Sequence, residues 1–268
     1  MSFQRRQSGR SRSARPLLAL GHVILLSVLA SPLDATWSLI AIDRATGQIG
    51  VAGASCTRNV QGIGAVVPGK GAIIVQAMSS STARDYGLEL LRKGSTAPQI
   101  IAALRDARFD PENQQYAVLL AASDHRPAAY TGTLVAGWHG VLIGDDVAVQ
   151  GNILVGEQVV TAAMAAFRGA EGKTLMERLL AGLVAGAEAG GDRRCGAQHA
   201  TSAFVTVYNP DDPEPTPYLH VGVYGIEPGG EPAVGRLARE VEAVLPQSGT
   251  DRSRRVYIIP TPIEQPGT

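Results

Sequence analysis

The sequence predicts an α+β domain in which sheets pack on one another and helices cover them. Two observations carry this reading. The apolar pattern groups strands and helices into blocks instead of alternating them one by one, and the 268-residue chain shows no internal repeat, low-complexity block or Pro-rich linker in its middle. One domain over 36–245 follows, with a leader over 1–35 before it and a tail over 246–268 after it.

Short β-rich runs come first, at Thr36–Asp43, Gln48–Ser55, Ile63–Val67 and Ala72–Ala77, separated by Thr46-Gly47, Gly62 and Pro68-Gly69-Lys70-Gly71. Their close spacing predicts a single antiparallel sheet. Helical periodicity then covers Thr82–Arg92 and Ala97–Arg108, the second with Ser95 or Thr96 as N-cap and Pro98 in its first turn. Strands resume at Tyr116–Ala122, Ala128–Thr131, Gly137–Ile143 and Val147–Gly151. A second helical pair, Glu157–Arg168 and Lys173–Ala189, is broken by Gly169 to Gly172. Strands at Ser202–Tyr208 and Tyr218–Tyr224, a helix at Pro232–Val244 and an edge strand at Val256–Ile259 complete the chain.

The leader has an arginine-rich start, an apolar run from Pro16 to Ala30 and a small-residue exit at Ser31-Pro32-Leu33-Asp34-Ala35, which is the pattern of an export signal. The alternative is an uncleaved signal anchor, but the run is short for a membrane span, Gly21 and His22 weaken it and Pro32 suits an extended cleavage region, so no membrane attachment is expected after cleavage. Cleavage after Ala35 makes Thr36 the first residue. A threonine with a free α-amine holds a nucleophile and a general base in one residue, since the amine titrates at about 7.7 to 8.0.

Composition narrows the partners. Lys plus Arg and Asp plus Glu both number 24, but five arginines and one acid fall within residues 1–35, so the remainder carries a small acidic excess and nucleic acid is not expected as a partner. His125, His139, His199 and His220 share no HExxH or HxH spacing and no CxxC occurs, so no metal site is expected. The glycine-rich stretches at 62–64 and 151–156 lack the endings of phosphate and dinucleotide loops, so no cofactor is expected either.

Polar residues at strand ends form the candidate pocket: Ser55, Gln76, Thr131 and Gln150-Gly151-Asn152. Asn152 reads either as a donor to a developing oxyanion or as an ordinary turn residue after glycine. Asp192 with Arg193 and Arg194 reads either as a solvated loop after a helix or as an anion-binding group.

An ordered series of segments resembles one bacterial family, domain of unknown function 1028: Thr36-Trp37-Ser38-Leu39-Ile40-Ala41, Gly50-Val51-Ala52, Ala54-Ser55, Val67-Pro68, Gln76-Ala77, Thr131-Gly132, Val149-Gln150-Gly151-Asn152 and Gly190-Gly191-Asp192-Arg193. The similarity spans about 36 to 225. That family is grouped with the N-terminal-nucleophile (Ntn) hydrolases. The resemblance implies a four-layer αββα sandwich with Thr36 at the active site, attacking an amide of a small-molecule or peptide substrate. On this reading Asn152 and backbone donors hold the oxyanion, Ser55, Gln76 and Gln150 line the pocket, and Asp192 with Arg193 orients the amine or substrate.

The expectation is an exported amide hydrolase, periplasmic or secreted. Its rivals are a non-catalytic binding module on the same fold and an enzyme using Ser55 or Cys56 as nucleophile; a homo-oligomer is compatible with each. Cys56 and Cys195 are the only cysteines, and in an exported chain they are candidates for a disulfide, which the chain-entropy argument values at roughly 4 to 5 kcal/mol. The bridge predicts an intact mass two hydrogens below that of the reduced chain; two titratable thiols in protein prepared without reductant contradict it.

Overall fold

The computed structural model describes residues 1, 35–121, 126–248 and 255–259, with side chains left aside at 245–248. The chain divides into two compact units, Met1–Ser31 and Pro32–Thr268, and every element below belongs to the second. The leader at 2–34, His125 and most of the tail lie outside the described residues.

Eleven strands and five α-helices form among the described residues. The order is β1 (Thr36–Asp43), β2 (Gln48–Ser55), β3 (Gly64–Val67), β4 (Gly71–Ala77), α1 (Ser81–Arg92), α2 (Ala97–Leu104), β5 (Gln114–Leu120), β6 (Ala128–Thr131), β7 (Trp138–Ile143) and β8 (Val147–Leu154). Then follow α3 (Gln158–Gly169), α4 (Leu175–Glu188), β9 (Ser202–Tyr208), β10 (Leu219–Val223), α5 (Ala233–Ser248) and β11 (Val256–Ile258). Seven strands make one sheet in the order β11-β10-β9-β2-β1-β8-β7, and four make another in the order β3-β4-β5-β6. All pairings are antiparallel except that of β10 with β11.

Local chemistry sets the ends of these elements. At the β1–β2 turn the Asp43 carboxylate accepts from the backbone N–H of Ala45 and Thr46, while Gly47 takes a left-handed φ of 71° and closes the turn on the Asp43 carbonyl. Helices α2 and α4 each begin with a capping box, Thr96 with Gln99 and Thr174 with Glu177. Helix α1 starts at Ser80, whose hydroxyl accepts from the N–H of Ala83.

Side chains alternate across each strand, and the alternation sorts the core into three apolar clusters. On β1, Trp37, Leu39 and Ala41 point toward α3, α4 and α5 and join their buried Val160, Leu179 and Leu237. Ile40 and Ile42 point the other way and meet Ala72, Ile74, Ala117 and Leu119 of the small sheet. The far face of the small sheet, with Ile73, Val75, Tyr116 and Val118, packs on Leu88, Ile100 and Leu104 of α1 and α2. Helix α4 lies close on the large sheet because Gly182 offers no side chain where a Cβ would meet Leu39 at 2.5 Å.

Three sequence expectations need correction. The first four strands do not form one sheet: β1 and β2 lie in the large sheet and β3 and β4 in the small one. A 3-10 turn at Gln61–Ile63 carries the chain across, with Val60 and Ile63 buried as its anchors, so strand spacing alone could not report the change of sheet. The second helix ends at Leu104 instead of Arg108, and a separate 3-10 turn at Ala107–Phe109 follows it with Asp106 as its cap. The last helix, expected over 232–244, spans Ala233–Ser248 and so also passes the expected domain end at 245.

Among the described residues, His220 on β10 is the most deeply buried imidazole. Thr206 contacts its Nδ1 at 2.7 Å, Tyr224 its Nε2 at 3.2 Å, and its ring stacks with Tyr257 of β11 at 4.7 Å between centroids. It borders a cavity of about 110 Å³ shared with Val51, Phe204, Tyr208 and Tyr257. Burial disfavours the imidazolium and lowers the pKa from 6.5 to about 4. Below pH 6.5 the unfolded chain therefore binds a proton that the folded chain refuses. Stability from this residue is complete above pH 6.5 and is lost as pH falls toward 4, by about 3 kcal/mol in all. Urea midpoints measured between pH 7 and 4 should fall more steeply for the wild type than for His220→Gln.

Candidate functional site

The space between the sheets is apolar along most of its length and polar at one end. Thr36 opens β1 there, opposite Ser55 of β2 on one side and Asn152 of β8 on the other. The period of two that sends Ile40 and Ile42 between the sheets sends Thr36 and Ser38 the same way. Gln150 and Asn152 of β8, Gln76 of β4 and Gln115 of β5 belong to the same end, and all are buried. Burying so many polar groups is tolerable only if they bond to one another.

Gln115 is the hub. Its Oε1 accepts from Gln76 Nε2 at 3.0 Å and from Asn152 Nδ2 at 3.1 Å, and its own Nε2 donates to Thr131 Oγ1 at 3.1 Å. Gln76 Oε1 accepts from Ser38 Oγ at 2.5 Å, and its Nε2 also reaches the Thr36 carbonyl at 3.4 Å. A continuous network thus joins three strands of the small sheet to two of the large one. At this end three atoms have no hydrogen-bond partner among the described residues: Oδ1 of Asn152, and both polar atoms of the Gln150 amide, which stands outside the network. Buried amide atoms without a protein partner remain able to bond water or a ligand. The Thr36 hydroxyl also makes no hydrogen bond among the described residues.

Strain accompanies the network. Ala77 and Ile153, directly after Gln76 and Asn152, have left-handed φ of 71° and 51°. Each costs on the order of 1 kcal/mol or more for a residue with a Cβ, and both border the same small cavity beside Asn152, with Met78 and Leu134 exposed at its rim. On the other flank Glu112 accepts from Tyr130, from the N–H of Thr133 and from its hydroxyl. These donors hold its carboxyl down at about 2 and secure the end of β6, which carries Thr131.

A second polar group surrounds the residue before Thr36. Ala35 is fully buried, and its carbonyl accepts from Ser55 Oγ at 2.5 Å and from Arg194 Nη2 at 3.2 Å. Arg194 is clamped by the buried Asp192, Nε to Oδ1 at 3.2 Å and Nη2 to Oδ2 at 2.7 Å. Asp192 also accepts from the backbone N–H of Arg194 and of Cys56. Cys56 and Cys195 form a disulfide, with Cα atoms 5.9 Å apart. Of the two arginines grouped with Asp192 from sequence, Arg194 bonds it; Arg193 is exposed and has no polar contact among the described residues.

Thr36, Ser55, Gln76, Gln150, Asn152 and Asp192 are therefore brought to one end of the fold, while Arg193 stands apart. Sequence reading left out Ser38 and Gln115. Ser38 was available from strand alternation, two residues after Thr36. Gln115 was hidden because Gln114-Gln115 precedes the apolar run from which the strand was read. No cluster of three or more His, Cys, Asp or Glu side chains suited to a metal ion occurs among the described residues.

A mixed α and β fold with two sheets and a polar end centred on Thr36 is a description of class. The chain belongs to the family of unknown function DUF1028, whose model matches residues 36–227. Among solved structures it is similar to protein SPO2555 from Silicibacter pomeroyi, of the same family: TM-score 0.65, 25% identity, covering 82% of this chain and 92% of that one. No curated protein matches it.

Gln115→Leu tests the hub. It removes the acceptor of two buried amides and should cost about 3 kcal/mol, read as a lowered urea midpoint at unchanged m-value.

Proposed function

We propose that the chain is an exported N-terminal-nucleophile hydrolase that cleaves an amide bond, with Thr36 as nucleophile and its α-amine as base after removal of residues 1–35. The observation that carries this reading is the position of Thr36: first residue of a central strand, between Ser55 and Asn152, at the polar end of the inter-sheet space. The family match beginning at residue 36 supports it. The three apolar clusters, which run from α1 and α2 through the small sheet and the large sheet to α3, α4 and α5, support a four-layer αββα sandwich of the Ntn type. The Cys56–Cys195 bridge supports an oxidising destination, periplasmic or secreted.

The chemistry follows from the residues. The α-amine takes the Thr36 hydroxyl proton as the oxygen adds to the substrate carbonyl, then returns a proton to the departing amine. Water hydrolyses the resulting ester. Gln76 and Gln115 fix the strand ends that frame the attack, and the unbonded atoms of Gln150 and Asn152 offer hydrogen bonds to an amide-containing small molecule or peptide. No metal or organic cofactor enters this scheme.

Mass spectrometry of the exported protein should give an amino terminus at Thr36. Exposed to p-nitrophenyl acetate, that protein should carry an acetyl group on the Thr36 hydroxyl, found by peptide mapping. Thr36→Ala should fold with the same melting temperature and lose the label; acetylation elsewhere at the same rate, or a different amino terminus, refutes the reading.

A further inference from the structure

We propose that Ser55 and Arg194 supply the oxyanion donors of this site, an assignment that rests on Thr36 being the nucleophile. In the uncut chain both donate to the Ala35 carbonyl, which is bonded to the Thr36 nitrogen. In an acyl-enzyme the corresponding carbonyl is bonded to the Thr36 hydroxyl oxygen. Nitrogen and hydroxyl belong to the same small residue, so an acyl group on either presents its carbonyl oxygen to the same region. Donors built to hold the first are placed to hold the second once residues 1–35 have left.

Both donors are organised in advance. The Ser55 hydroxyl accepts from the N–H of Thr57 at 3.1 Å and from its hydroxyl at 3.1 Å, so its acceptor sites are filled and its single proton is committed to the carbonyl. The Arg194 guanidinium is fixed by its paired bonds to Asp192, which also neutralises its charge. Ser55 directly precedes Cys56 and Arg194 directly precedes Cys195, so the disulfide staples the two donors to each other. Fixed donors of this kind stabilise negative charge that appears only during reaction, without reorganising to do so. Asn152 lies across Thr36 on β8 and donates to Gln115; the side-chain donors to the Ala35 carbonyl are Ser55 and Arg194.

The step balances with an activated ester. The Thr36 oxygen bonds to the carbonyl carbon of p-nitrophenyl acetate, its proton passes to the α-amine, and the carbonyl electron pair moves onto oxygen beside Ser55 and Arg194. Collapse expels p-nitrophenolate and leaves acetyl-Thr36, which water returns to threonine and acetate.

Single-turnover release of p-nitrophenolate from the matured full chain, with acetyl-Thr36 verified by mass spectrometry, tests the assignment. Ser55→Ala and Arg194→Lys, the latter keeping the charge facing Asp192, should each slow acylation by about 10²-fold. The pH at which the rate rises half-maximally should stay where the α-amine sets it, since neither residue accepts the proton. A general loosening of the site would move that inflection and lower the melting temperature. Acetyl-Thr36 formed at the wild-type rate in both variants, or slowed in Asn152→Ala alone, overturns the assignment and leaves the Thr36 reading standing. Absence of acetyl-Thr36 in the wild type overturns the reading and the assignment together.

Discussion

The site depends on one constraint: polar groups buried between two sheets need partners, and Ser38, Gln76, Gln115, Thr131 and Asn152 find them in one another. Gln115 answers that constraint, because one carboxamide oxygen receives two amide donors from different strands while its nitrogen reaches a third. Each of these bonds crosses from strand to strand or sheet to sheet, and Gln76 extends them to Ser38 of β1, so the relative position of β1, β4, β5, β6 and β8 is specified by hydrogen-bond geometry as well as by packing. Apolar contacts alone, such as those of Ile40 and Ile42 with Ile74 and Leu119, would tolerate small slips that the carboxamides do not.

A second polar group, around Asp192, works differently. It relies on charge and covalent closure: a buried carboxylate accepts four donors, an arginine reaches past it to a backbone carbonyl, and a disulfide fixes the loop that carries both. Asp192 is buried and Arg194 partly exposed, so removing the arginine would leave a buried carboxylate uncompensated, which is more damaging than the pair is stabilising. The Thr36 backbone lies between the two arrangements, one reading its carbonyl through Gln76 and the other the carbonyl of the residue before it.

Much of this was legible in the sequence. Polar residues at the ends of apolar runs, together with the family resemblance, pointed to Ser55, Gln76, Gln150 and Asn152, because an apolar strand that ends on a polar side chain marks where the core stops. Partnership across the fold was not legible. Nothing local says that Asp192 pairs with Arg194 in preference to Arg193; that choice is made by a 3-10 turn at Arg193–Gln198 that the apolar pattern does not announce. Nor could spacing report that the chain changes sheets between β2 and β3, since a 3-10 turn and a hairpin loop use similar residues.

The burial of Ala35 has a bearing on time. Among the described strands β1 is the first to be synthesised, yet its neighbour β8 comes about a hundred residues later, and β9, which flanks β2, later still. Contacts so distant in the chain form late. A peptidase needs an extended, accessible stretch around the bond it cuts, and the finished fold offers none at Ala35. An external peptidase acting there has its opportunity while the first strand waits for its partners, and the interval closes when the last of them docks.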